Sequence, residues 1–222
     1  MSGARSASLL LLGAAALAGA DHEAQQALDI TLARRGKLDA ILHSRFREGQ
    51  ARLGFYQFRL GPVFQARLHP RFAALGGYYF SRQQRSDPDL NPGGEGAGWS
   101  TTHRVFGGGE WLVLDRGGRW ETRGVYERFV RDLPDFFRYR QRFRWTYPAA
   151  RGPYAGAEVF WDAAGWRSTR WSAGWRWTLG SRAGLDAGYF WEPRRGEFGP
   201  ARHMWLVTVH LREIGRRRDP DL

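Results

Sequence analysis

The clearest pattern in the chain lies at residues 136–147, FFRYRQRFRWTY, where Phe137, Tyr139, Phe143, Trp145 and Tyr147 fall on one parity and Arg138, Arg140, Arg142 and Arg144 on the other. A period of two is a β-strand, because successive side chains leave opposite faces of the pleat. The same alternation, with an aromatic-heavy apolar face, recurs along the chain. Trp171, Ala173, Trp175 and Trp177 oppose Arg170, Ser172, Gly174 and Arg176, and Leu185, Ala187, Tyr189 and Trp191 oppose Asp186, Gly188 and Glu192. Each segment has about the ten to twelve residues that a tilted strand needs to cross a bilayer.

Ten such strands are predicted, at residues 38–47, 54–67, 71–82, 102–114, 118–130, 136–147, 153–162, 168–178, 183–192 and 202–212. Short turns (Arg35-Gly36-Lys37, His69-Pro70, Asp115 to Gly118, Pro148 to Pro153, Gly180-Ser181-Arg182) alternate with longer connections, the longest running from Gln83 to Thr101 and another from Pro193 to Pro200. The expected fold class is therefore all-β: an antiparallel up-and-down transmembrane β-barrel of about ten strands, with short turns at the periplasmic end. An even count returns both chain ends to one side. Leu28 to Ala33 (LDITLA) also alternates, and counting it makes eleven and breaks that parity. Three placements are open for it: an extra pairing at the seam, half of an additional hairpin giving twelve strands, or a segment folded into the lumen.

Composition narrows the setting. The chain has 42% hydrophobic and 25% charged residues, which excludes disorder, and no apolar window long enough for a spanning helix. Arg5, the apolar run Leu9 to Ala18 and Ala18-Gly19-Ala20 ahead of Asp21 read as a cleaved secretory signal peptide. With no cysteine, the mature chain is neither a lipoprotein nor disulfide-stapled. The organisation expected is signal peptide at 1–20, an N-terminal segment at 21–36 that holds the alternating run of open placement, the barrel at 37–213 and a polar tail at 214–222. The expected location is the bacterial outer membrane. Expected partners are outer-membrane lipids and lipopolysaccharide, and the barrel-assembly machinery during insertion; the oligomeric state is open.

The net charge of +12 is almost wholly guanidinium, since Lys37 is the only lysine among 34 basic residues. Most of these arginines alternate singly with aromatic or apolar residues and are not gathered into one basic helix or tail, so nucleic acid is not an expected partner.

The stretches ERFVRDLPDFFRYRQRFRWTYP (127–148) and EVFWDAAGWRSTRWSAGWRWTLGSRAGLDAGYFWEP (158–193) carry a Glu-Arg-Phe in one strand, an Arg-x-Arg-x-Arg strand ending in Tyr-Pro and a late hairpin ending Gly-Tyr. In these features the chain resembles the outer-membrane β-barrel family catalogued as domain of unknown function 2490. The resemblance implies a Gram-negative outer-membrane barrel and carries no catalytic residues with it. One departure from barrels of this kind is the C-terminus, where the strand HMWLVTVHL is followed by Arg216-Arg217-Arg218-Asp219-Pro220-Asp221-Leu222 instead of ending on an aromatic.

Candidate chemistry is sparse. His43 and Ser44 are adjacent, but neighbours on a strand face opposite ways and cannot form a hydrogen-bonded dyad. His103, His203 and His210 have no serine at matching spacing on their own strands, so no catalytic residue is assigned and a triad built across strands stays open. The six histidines show no i, i+2 pairing, and Asp87 with Asp89 lacks full calcium-site spacing, so no metal or cofactor site is assigned. The informative set is the polar parity. Lumen positions are Arg45, Arg59, Arg67, Arg104, Glu110, Glu121, Arg123, Glu127, Arg138, Arg140, Arg142, Arg144, Glu158, Arg170, Arg176, Asp186, Glu192 and Arg212. From these a charge network is expected in which Arg138, Arg140, Arg142 and Arg144 are tied to Glu121, Glu127 and Glu158, with Arg170 and Arg176 beside them. Such a network makes the protein a structural barrel or a narrow or plugged pore. The alternatives are a lipid-A or phospholipid-modifying enzyme and a soluble periplasmic ligand-binding barrel, in which the aromatic face would turn inward.

Overall fold

The computed structural model describes residues 23–49, 54–86, 98–115, 117–132 and 134–212. The signal-peptide segment, the loop aspartates Asp87 and Asp89 and the tail 214–222 lie outside the described residues.

The alternation is realised as eleven strands: β1 (Glu23–Arg35), β2 (Leu38–Gly49), β3 (Gly54–His69), β4 (Phe72–Gln84), β5 (Trp99–Asp115), β6 (Arg119–Arg131), β7 (Phe136–Thr146), β8 (Arg151–Asp162), β9 (Gly165–Leu179), β10 (Ala183–Glu192) and β11 (Arg202–Arg212). Each pairs antiparallel with its chain neighbours, and β1 pairs with β11 to close the barrel. Full closure leaves no strand edge with unpaired backbone groups.

Strand number corrects the sequence expectation. The ten predicted strands all have counterparts, but β1 adds an eleventh, and its pairing with β11 is parallel, from Glu23↔Met204 to Thr31↔Arg212. Of the three placements open for Leu28 to Ala33, the seam pairing is the one observed, within a strand longer than the alternation alone marked. Because the count is odd, the two ends of the barrel sequence do not meet on one side. Glu23 lies beside the start of β11, at the end carrying the longer connections, whereas Arg212 lies at the short-turn end. Side-chain chemistry fits β1 to its place. Inward Asp29 stands between His43 on β2 and His210 on β11, while Leu28 and Ile30 take the opposite face.

The two faces divide by chemistry. Apolar and aromatic residues point out, with Tyr126, Trp171, Phe143 and Trp175 exposed to 70%, 53%, 52% and 43%. Charged residues point in, and Arg104 and Glu127 keep only 2% of their surface. A smaller apolar cluster of Val63, Leu75, Tyr79, Phe106 and Val125 lines one inner wall, with the Tyr79 and Phe106 rings stacked at 4.9 Å. Here the wall needs glycine. A Cβ on Gly108 would fall 2.0 Å from the Gly124 carbonyl oxygen, and one on Gly61 2.0 Å from that of Tyr78.

Two irregularities add inward residues that strict alternation would turn outward. The register between β2 and β3 shifts at Arg47/Glu48, so consecutive Tyr56 and Gln57 are both buried. A second shift, between Phe160 and Trp161, does the same for Arg167 and Ser168.

Candidate functional site: the charged lumen

The centre of the lumen is a buried carboxylate. Glu127 on β6 receives Arg138 Nη2 at 2.6 Å on one oxygen, and Arg104 Nη1 at 3.0 Å and Arg140 Nε at 3.4 Å on the other. Strand register explains the choice. Glu127 is directly opposite Arg138 on β7, and Arg104 and Arg140 reach it diagonally from β5 and β7. A buried carboxylate in a water-poor interior is tolerated only with charge and hydrogen bonds around it, and guanidinium forks supply both.

From this hub the ion pairs run along the wall. Arg140 Nη1 lies 3.3 Å from Glu158, Arg170 Nη1 lies 3.4 Å from the same carboxylate, and Arg170 Nη2 continues to Glu192 at 2.7 Å. Ser168 Oγ donates to the second Glu192 oxygen at 2.8 Å. Aromatic rings floor the chain of charges: Arg104 stands 4.5 Å over Tyr79, Arg138 4.8 Å over Phe129, and Arg170 4.3 Å over Phe190. The alternation of Arg and Glu thus spans β5 to β10 without a break.

Toward the short-turn end a second chain forms. His43 Nδ1 lies 2.6 Å from Asp29, whose other oxygen is 3.2 Å from His210 Nδ1. His210 Nε2 faces Asp186 at 3.4 Å, and Asp186 also takes Arg144 at 2.9 Å and Arg176 at 2.7 Å. Arg142 turns to Glu110 at 3.2 Å. At the opposite end Glu23 binds Arg202 Nε at 2.9 Å and accepts the Tyr56 hydroxyl at 2.6 Å.

The structure brings together most of the network read from sequence, with changed partners. Arg138 and Arg140 meet Glu127, and Arg140 and Arg170 meet Glu158. Arg142 and Arg144 instead use Glu110 and Asp186. Glu121 is not tied to the four β7 arginines: its close partner is Arg119, two residues away on its own strand, at 2.7 Å. Arg144 is directly opposite Glu121 in the β6–β7 register, but its guanidinium crosses to Asp186 on β10. Arg67, counted with the lumen, caps the β1–β2 hairpin by sharing Asp39 with Arg34 at 2.6 and 2.7 Å.

Sequence reasoning missed Asp29, Arg47, Tyr56 and Arg167. Asp29 lay on the uncounted strand, Arg47 continued the Arg45 parity at a predicted strand end, and the other two enter the lumen through register shifts. Of the histidines, His43 and His210 are luminal, whereas His103 faces out and shares a 2.6 Å hydrogen bond with Tyr78. Among the described residues, neither luminal imidazole bonds a serine or threonine hydroxyl, and no group of three metal-ligating side chains occurs.

Comparison with family models, curated proteins and solved structures returns no match. The lumen must be read from its own geometry.

Among the described residues the interior holds several spaces of unequal size, one of about 150 Å³ lying against Glu158, Ser172 and Phe190. A vestibule of about 540 Å³ opens toward the short-turn end, where Thr31, Thr178 and Gly184 line it. Beyond it, toward the longer connections, lies a space of only about 60 Å³. Arg45, Arg59, Arg104 and Arg140 line both, so the two spaces meet at these arginines. The arrangement is a charged cup with a floor of ion-paired and aromatic-stacked arginines.

Proposed function

We propose that this chain is a bacterial outer-membrane barrel whose lumen is closed by its own ion pairs. The observation that carries the reading is the sense of the two faces. Trp171, Trp175, Trp191 and Trp205 are exposed around the outside, while the intervening Arg170, Arg176 and Glu192 pair inside. Water is a poor solvent for such an outer wall, and a bilayer a good one. A soluble ligand-binding barrel has the opposite arrangement, an apolar interior and a polar exterior. The resemblance to the outer-membrane family catalogued as domain of unknown function 2490 points the same way, as does the export signal read at residues 1–20. On this reading the short turns face the periplasm, and lipids with lipopolysaccharide surround the wall.

Single-cysteine labelling tests the proposal cleanly because the chain has no cysteine of its own. With the protein in outer-membrane vesicles, Trp175→Cys should resist a water-soluble maleimide and react with a lipid-soluble one, and the folded protein should migrate faster than the boiled one in detergent gels. Free reaction of Trp175→Cys with the water-soluble reagent, together with recovery in the soluble periplasmic fraction, overturns it.

A further inference from the structure

The vestibule holds more positive charge than its own carboxylates can neutralise. Its lining includes nine arginines but only Asp29 and Asp186 as acids. Glu127, Glu158, Glu110 and Asp186 account for Arg104, Arg140, Arg142, Arg144 and Arg176. Among the described residues two buried guanidiniums, of Arg45 and Arg59, and the half-buried one of Arg123 are left over. Among the described residues Arg45 hydrogen-bonds only the neutral Gln57 and Arg59 only Ser81, and each is 9% exposed. Arg123 forms no ion pair among the described residues, since Glu110 across from it is turned to Arg142, and the Nε atoms of Arg45 and Arg123 are buried without a hydrogen-bond partner.

Register makes the excess sharper. Arg45 is directly opposite Arg59 on β3, and Arg123 directly opposite Arg142 on β7. Like charges across a ladder repel, and in a confined interior the cost is larger than at a surface. Nothing in the ion-pair network requires these pairs, since the chain from Glu127 to Glu192 closes without Arg45, Arg59 or Arg123. An anion entering the cup would turn the repulsion into binding.

We propose that the vestibule is a site for a small dianionic phosphate, either inorganic phosphate or the phosphate of a soluble monoester, held by the uncompensated guanidiniums of Arg45, Arg59 and Arg123. Guanidinium forks match phosphate oxygens bidentately, and a dianion offsets more of the surplus than a single carboxylate. The cavity, at about 540 Å³, has the size of a small-ligand site. Its polar, arginine-lined walls suit a soluble ion better than a lipid, whose acyl chains would have to stay outside the mouth. The inference rests on the lumen alone and not on the location of the barrel.

The test is titration calorimetry on the full barrel in a zwitterionic detergent at low salt, with inorganic phosphate, glycerol 3-phosphate and phosphatidylglycerol-doped micelles as separate probes. Saturable binding of the first two is expected, with Kd raised about tenfold or more in Arg59→Gln and in Arg123→Gln. Arg128→Gln, which alters an outward arginine paired with Asp135, should bind as the wild type does. A circular dichroism spectrum and melting transition unchanged from the wild type certify that each variant is folded. Where Arg59→Gln does not fold, Arg59→Lys keeps the charge without the fork and should still bind more weakly. Absence of saturable phosphate binding, equal binding in the luminal variants and Arg128→Gln, or binding of the doped micelles alone would each overturn the proposal.

Discussion

Arg140 leans past its own cross-strand neighbour, Val125, to reach Glu127, with its Nε 3.4 Å from Glu127 Oε1. The same guanidinium touches Glu158 at 3.3 Å, so one side chain links the β6 and β8 walls. Glu127 in turn is shared by three arginines, with Arg104 and Arg138 also on it. In the proposed plug this pair is the junction of the β6, β7 and β8 walls.

We predict that Glu127→Gln loosens the plug. Removing that charge leaves three guanidiniums facing one another, a loss of about 3–5 kcal/mol by analogy with broken buried pairs. In planar-bilayer recordings the wild type should show small or no openings, and Glu127→Gln larger, anion-preferring ones. Glu121→Gln should change neither, because its carboxylate is held by the exposed Arg119. A large, salt-proportional wild-type conductance would reject the plug.

The seam yields a second prediction. Leu28 on β1 and Val209 on β11 are register partners on the outward face, so Leu28→Cys with Val209→Cys should cross-link on mild oxidation. Ser44→Cys with Val209→Cys should not, since β1 separates β2 from β11. Non-reducing gels read the outcome. Cross-linking only in the second pair would mean a ten-strand closure without β1.

Two adjacent glycines should respond oppositely to the same methyl group. The nearest atom to a Cβ on Gly107 is the Leu75 carbonyl oxygen at 4.0 Å, whereas one on Gly108 meets the Gly124 oxygen at 2.0 Å. Gly107→Ala should fold as the wild type does. Gly108→Ala should force β5 away from β6 and lower the folded yield and the unfolding temperature, as measured by the heat-modifiability midpoint.

At the end with the longer connections, Asp132 accepts the Ser100 hydroxyl and an ion pair from Arg85 at 2.6 Å. The serine hydrogen bond first, and the guanidinium second, hold its carboxyl below the ordinary value of 3.8. A depressed carboxyl pKa stabilises the fold above the ordinary value, and this contribution fades as pH falls through the folded one. Ser100→Ala should raise the Asp132 titration midpoint followed by carboxyl NMR. It should also lower stability at neutral pH, with the difference vanishing in strong acid. A midpoint unmoved by Ser100→Ala would show that the hydrogen bond contributes nothing.

The sequence by itself determined ten of the eleven strands and the two faces. Phe137, Phe143, Trp171 and Trp175 on one parity and Arg138, Arg142, Arg170 and Arg176 on the other define which side is apolar, because the pleat alternates strictly and pattern alone carries that information. It also marked the short turns and the candidate charges, since both depend on residues close in the chain. Closure was decided only by the tertiary structure. Whether β1 pairs with β11 depends on a contact between residues about 180 positions apart, as with Glu23 and Met204, and local alternation in LDITLA fits several placements equally. The partners of each arginine were decided there too. Arg144 faces Glu121 in the ladder yet binds Asp186 across the lumen, because a long guanidinium in a narrow interior chooses among every carboxylate within reach, not only the one beside it.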